Sequence, residues 1–228
     1  MRLAKVMIVQ NKYGYYFIPQ SSIDTYTGKK IISGGVHEDS TIEFILNNSK
    51  RIVHAGTGFG DFLPALRSLE RVWAFEPNKE NFIASLKTIE INALTNVRLY
   101  NTALNSEDGK LKITDEGVRS QISFDNGNFV EAACMDTMIP ESEHIDLIHL
   151  DIEGFEHEAL LGAKELISRC SPIIVLEIDD RATRYNSFME KFGYVPQQHL
   201  IYDSGPMVFV NTVYVRDKIG SLAQSVEQ

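Results

Sequence analysis

The sequence predicts an α/β fold built around a mostly parallel sheet. Three observations carry this. Strand-like and helix-like segments alternate from residue 51 to residue 192. A glycine cluster, Gly56, Gly58 and Gly60, follows the first of the alternating strands. The strands at 145–150 (IDLIHL) and 172–178 (PIIVLEI) are apolar on both faces, as strands covered by helices must be.

Each element has its own signature. Residues 5–19 read as a β-hairpin, with Val6, Ile8, Tyr15 and Phe17 flanking the turn-like segment 11–14. Residues 21–35 are polar and glycine-containing and read as loop, and 37–48 read as a helix. Residues 51–55 form the first strand of the alternating region, and 60–69 the helix after the glycines. Residues 71–75 form the second strand. Pro77 suits the first turn of the next helix, where Phe82, Leu86, Ile89 and Ala93 make an apolar stripe at helical spacing. A third strand covers 97–100, and short β-like runs cover 111–113, 122–124 and 129–134. The strand at 145–150 leads to a helix at 155–168. The strand at 172–178, the most apolar, is expected near the centre of the sheet. A helix at 181–192 stops at Gly193. The segments 198–202 and 207–215, joined by a turn at 203–206, form an antiparallel hairpin at one edge. The expected organisation is a hairpin and helix over 1–50, a main domain over 51–216 and a polar tail over 217–228.

Composition narrows the function. The chain has 228 residues and 43% apolar content, enough for one substantial core. A formal net charge of -9 with no dense Lys/Arg cluster argues against a nucleic-acid or anionic-membrane partner. No apolar stretch reaches the roughly 18 residues that span a bilayer. Two cysteines, Cys134 and Cys170, make neither a disulfide framework nor a zinc site, and with the single Trp73 they read as core residues. A cytoplasmic setting is the default.

Ligands of such sheets sit beyond the carboxyl ends of the strands, so strand-end residues are the site candidates. The glycines are spaced G-x-G-x-G, and Asp61 stands where a dinucleotide fingerprint needs its third glycine. An acidic side chain there repels a pyrophosphate but tolerates a ligand without phosphate, such as the sulfonium compound S-adenosylmethionine. Glu76, 20 residues after Gly56, either accepts hydrogen bonds from ribose hydroxyls or caps the following helix. Asp151 and His149 are two apart, on one side of an extended strand, and together could hold and deprotonate a hydroxyl. Asp151 could instead cap a helix, and His149 could be a hydrogen-bonded core residue. Glu177 could join Asp151 in chelating a cation, although no spacing signature supports a metal. His37, Glu38, His157 and His199 lie in no motif and are expected at the solvated surface.

With these residues in view, the chain resembles the FkbM family of class I S-adenosylmethionine-dependent methyltransferases over about 35–216. The resemblance lies in HAGTGFG (54–60), the block from VWAFEPN to GKLKI (72–113), CMDTMI (134–139), IDLIHLDIEGFEHEALLGA (145–163) and PIIVLEI (172–178). It implies a Rossmann-like methyltransferase fold, with a seven-stranded sheet closed by the C-terminal hairpin. It implies S-adenosylmethionine as cofactor, held by His54, Gly56, Thr57, Gly58, Gly60, Glu76, Pro77, Asn101, Thr102 and Asp151. The ribose would lie at Glu76, the adenine near Asn101 and Thr102, and the methyl group near Asp151, with the segment 119–121 lining the acceptor side. Two positions depart from the family. His54 stands where an acidic residue is usual, and His149 where lysine is frequent. The implied activity is methyl transfer to a hydroxyl of a sugar or natural-product acceptor, with Asp151, helped by His149, taking the proton. Two other functions compete: a nicotinamide-dependent oxidoreductase, disfavoured by Asp61, and a non-catalytic relative that binds a nucleoside or a partner protein.

Overall fold

The computed structural model describes residues 7–114, 127–178, 183–203 and 208–217. Its centre is a seven-stranded sheet. In chain order the strands are β3 (Arg51–Ala55), β4 (Arg71–Phe75), β5 (Val97–Tyr100), β9 (Leu147–Leu150), β10 (Ile173–Ile178), β11 (Tyr194–Asp203) and β12 (Val208–Arg216). In space they run β11-β12-β10-β9-β3-β4-β5. The strands from β10 across to β5 pair in parallel, and β12 is antiparallel to both its neighbours. The edge hairpin is thus where the sequence placed it. The apolar strand β10 is interior but one place off centre, which belongs to β9.

Alternate residues of these strands feed two cores. Val53, Ala55, Trp73, Phe75, Ile148, Leu150, Ile174 and Leu176 pack on helices α5 (Glu156–Leu161), α6 (Lys164–Cys170) and α7 (Thr183–Lys191) through Leu160, Ile167 and Phe188. Ile52, Val72, Ala74, Leu147, Val175 and Val213 face α2 (Asp39–Asn48) and the 3-10 turn at Ala65–Ser68. Burying an aliphatic side chain of this size contributes about 1.5–3 kcal/mol, so both faces need apolar residues and the strands read as continuous runs.

Around the sheet sit two smaller pieces. The hairpin β1 (Met7–Gln10) and β2 (Tyr15–Ile18) forms its own antiparallel pair, and Tyr16 and Ile18 pack with Phe59 of the glycine loop and Ala84. Strands β6 (Ala103–Leu104), β7 (Gly109–Ile113) and β8 (Asn128–Ala133) form a three-stranded sheet, followed by the short α4 (Met135–Met138). The run at 122–124 and the turn at 204–206 lie outside the described residues.

Four elements differ from expectation. No α-helix follows the glycines; Gly60 to Ala65 is a chain of i to i+3 turns, because Gly60 has φ of 89° and Pro64 lacks the N–H an α-helix would use. The stretch 21–35 contains a helix, α1 (Tyr26–Ile32), whose N-cap is Thr25: its hydroxyl accepts from Gly28 N at 3.0 Å. The helix expected over 155–168 is two, since Asp136 accepts from Glu165 N and Leu166 N and caps a fresh start at α6. In α3 (Lys79–Ile91) the buried face is Asn81, Ala84, Ser85 and Thr88, while Leu86 of the anticipated apolar stripe is exposed. Cys134 and Cys170 are half-buried, unlike Trp73, which is buried.

Candidate active site

The glycine loop is clamped from three sides. Gly56 N and Thr57 N donate to Phe75 O at 3.2 and 3.3 Å, and the buried Thr57 hydroxyl donates to the same carbonyl. Gly58 N donates to Glu76 Oε2 at 2.7 Å. From α3, Ser85 Oγ donates to Gly58 O and Thr88 Oγ1 to Phe59 O. This explains the polar face of α3: it carries hydroxyls at helical spacing to hold a loop whose carbonyls have no strand partner. Gly56 is dictated by close approach, because a Cβ there would lie 1.6 Å from Asp151 O, and its φ is 84°.

Glu76 follows β4 and is buried. Besides the Gly58 contact, its Oε1 accepts from Asn78 N at 2.8 Å, and the Asn81 side chain bonds to it as well. Burial pushes its carboxyl up to about 8 against these bonds. Capping of α3 falls to Asn78, whose Oδ1 accepts from Glu80 N and Asn81 N. The cap alternative for Glu76 therefore lapses. Asn101 Nδ2 donates to Glu76 O and Pro77 O, tying the ends of β4 and β5 together. Asn81 Oδ1 is buried beside Glu76 with no donor.

His54 and His149 occupy paired positions on β3 and β9. Their Nδ1 atoms are 2.9 Å apart, so one nitrogen carries the hydrogen and the other accepts it. Both rings stack on Phe62 at 5.0 and 5.3 Å. Both are buried, and burial holds them below the usual histidine range, His54 at about 4 and His149 well below 6.5, where the His54 ring also acts against its charge.

Beyond these rings the strand ends carry acids. Asp151 follows β9, and its carboxyl hydrogen-bonds that of Glu177 near the end of β10. Burial and then Glu177 push Asp151 well above the carboxylate range. Glu38, at the start of α2, is 1% exposed; its Oε2 accepts from Asn211 Nδ2 of β12 at 2.6 Å. Burial, then the charges of Asp61 and Glu177, push it up to about 8. Asp61 accepts from its own N–H and that of Phe62, and burial raises it to about 7. Among the described residues none of Glu38, Asp61, Glu76 and Asp151 has a lysine or arginine within ion-pair distance. The sheet order therefore lays these out in one row along the strand ends: Asn101, Glu76, the glycine loop, Asp151, Glu177, then Asn211.

Residues 54–196 match the methyltransferase FkbM domain, more than half of the chain. The chain belongs to the FkbM methyltransferase family. The FkbM fold seen here is also that of solved methyltransferases. A methyltransferase FkbM from Methylobacillus flagellatus superposes with a TM-score of 0.54 at 20% identity, over 73% of this chain and 43% of that one. This chain thus spans less than half of that relative. M. jannaschii TYW2, solved in complex with AdoMet, gives 0.58 at 16% identity over 95% and 89% of the two chains. M. capricolum TrmK, solved with S-adenosyl-homocysteine, gives 0.53 at 13% identity over 78% and 67%. No curated protein matches the chain.

In this FkbM chain the expected residues divide into three sets. Gly56, Gly58, Gly60, Glu76, Pro77, Asn101, Thr102 and Asp151 come together along the strand ends. Thr57 faces inward as a clamp. His54 and His149 form a closed pair in the core. The contact of His149 is with His54, while the Asp151 carboxyl bonds that of Glu177. Glu38, expected at the surface, is buried in the site, and His37 beside it is largely buried, its ring held at about 4 by desolvation. Segment 119–121 lies outside the described residues. Asn81, Ser85 and Thr88 were missed although their i, i+4, i+7 spacing was readable; Glu38, Asp61 as an acid of the cleft, and Asn211 had no local signal.

Proposed function

We propose that this protein transfers a methyl group from S-adenosylmethionine to a hydroxyl oxygen of a sugar or natural-product small molecule, in a reducing cytoplasm. The observation that carries it is the glycine loop flanked by Glu76, which accepts from Gly58 N, on one side and by Asp151, whose carbonyl abuts Gly56, on the other. The cofactor's chemistry fits these residues. Ribose hydroxyls match the remaining lone pairs of Glu76 and the donor-less Asn81 Oδ1, and a sulfonium suits a cleft of carboxyls that lack a lysine or arginine among the described residues.

S-adenosylmethionine, when bound, supplies a methyl group on a good leaving group. The chain's part is positioning and proton removal. Glu76, Asn81 and Asn101 orient the nucleoside end. Asp151 takes the acceptor hydroxyl's proton, and a cation in the cleft favours the ionised carboxylate that this requires. The small-molecule acceptor is supported by the net charge of -9, which disfavours nucleic acid. The half-buried free thiols of Cys134 and Cys170 support the reducing setting.

The test uses methyl-labelled S-adenosylmethionine with a panel of hydroxyl-bearing sugars and natural products, read by mass spectrometry. Label on a hydroxyl oxygen is expected. Label on nitrogen or carbon would replace the acceptor class, and calorimetric binding of NAD but not S-adenosylmethionine would end the methyltransferase reading.

A further inference from the structure

The strand ends hold more acid than ribose recognition and proton removal require. Glu38 and Asp61 take part in neither. Glu38 lies before β3 and Asp61 follows Gly60, and the Asp61 charge is felt at Glu38. Neither has a lysine or arginine partner among the described residues. The histidine beside Glu38 is neutral at physiological pH, since burial holds His37 at about 4. A second, independent sign of a ligand is Asn211. It has no exposure, its Nδ2 donates to Glu38 Oε2 and Thr41 Oγ1, and the Oδ1 of the same amide has no donor. A buried amide oxygen without a donor costs about 1–3 kcal/mol, so the site calls for an N–H or O–H as well as a positive charge.

Resting on the cofactor reading above, we propose that Glu38 and Asp61, with Asn211 Oδ1, hold the α-ammonium group of the cofactor's amino-acid part. An ammonium offers three N–H donors to match two carboxyls and one amide oxygen, whereas a sulfonium offers charge and no donor. His54 does not take this role: its Nδ1 is committed to His149 and its ring is stacked with Phe62 and His149. Glu38 lies outside residues 54–196, so the cleft is completed by the segment that precedes the matched domain.

Calorimetry with two ligands isolates the contact. S-adenosylhomocysteine carries the ammonium; 5′-methylthioadenosine shares its nucleoside and thioether but lacks the amino-acid part. Glu38→Gln and Asp61→Asn keep size and hydrogen bonding while removing charge. Each is expected to weaken S-adenosylhomocysteine by about tenfold or more, as for loss of a charge-assisted contact, and 5′-methylthioadenosine by less than about twofold. Unchanged affinity for S-adenosylhomocysteine, or equal losses for the two ligands, overturns the proposal; binding of 5′-methylthioadenosine also reports that each variant is folded. If the unaltered protein binds neither ligand, the cofactor reading itself falls, and this contact with it.

Discussion

His54 and His149 lie within the sheet, and the carboxyls of Glu76, Asp151, Asp61 and Glu38 lie around its carboxyl edge, a few residues away. Burial suppresses the charge in both groups but in opposite directions, imidazoles down and carboxyls up. The imidazoles have solved the problem inside the chain, with one shared hydrogen and a common stack on Phe62. The carboxyls have hydrogen bonds but, among the described residues, no lysine or arginine. A buried ionisable group that is paired within the chain is architecture; one whose counter-charge must come from outside marks a ligand site.

The two regions meet at Gly56, and breaking that junction should have the largest effect. Gly56→Ala forces a Cβ to within 1.6 Å of Asp151 O, backbone that cannot rotate away. A loss of more than about 4 kcal/mol is expected, read by urea unfolding. A near-native transition would show that β3 and β9 can separate there, and that the two regions are independent. Asp151→Asn sharpens the carboxyl side. Turnover should fall by about 10²–10⁴ while S-adenosylhomocysteine affinity changes little. If turnover survives with binding intact, Asp151 is no base.

The histidine side is tested by putting charge into it. His54→Asp or His149→Lys alone leaves a buried charge beside a neutral ring and should cost about 3 kcal/mol. The double substitution places an aspartate opposite a lysine at paired positions and should recover most of that loss in a double-mutant cycle. If the losses simply add, the rings are not energetically coupled.

These regions also differ in how much the sequence disclosed. The sheet, its hairpin edge and the strand-end residues Gly56, Glu76, Asn101 and Asp151 followed from local periodicity and glycine spacing, because interior strands must be apolar and ligands sit at their ends. The His54–His149 contact did not, since pairing across β3 and β9 joins residues 95 apart. Leu86 misled because α3 packs on a backbone loop and a hairpin, where hydroxyls such as Ser85 and Thr88 are worth more than a methyl stripe. Glu38 was invisible for the same reason as the histidine pair: its partner Asn211 is 173 residues away. Chemistry fixed by a strand end is local; chemistry fixed by packing between distant segments is not.

The smallest expected effect concerns pH, and here the opposite shifts of the two regions separate. Glu38, Glu76 and Asp61 have folded values of about 8, 8 and 7 against 4.5, 4.5 and 3.8 for the free side chains. Their contribution to stability is fully present below the unfolded values and is lost as pH rises through 7 and 8. His54, at about 4 against 6.5, and His149, also lowered, contribute stability above pH 6.5 that is lost as pH falls toward 4. Between pH 4 and 6.5 the two slopes oppose; above 6.5 only the carboxyls act. The ligand-free protein should therefore melt at a lower temperature at pH 8.5 than at pH 6.5. Glu38→Gln removes one of the groups responsible and should raise the melting temperature at pH 8.5 by about 2–4 °C, the shift that about 1 kcal/mol produces in a domain of this size. The same variant should be neutral at pH 5, where Glu38 is already protonated. A stabilisation independent of pH would mean that the substituted amide improves packing and that the carboxyl is not held against its charge. With the pH dependence in hand, the same change that steadies the free protein is the one expected to weaken S-adenosylhomocysteine, as befits a group strained in the absence of its ligand.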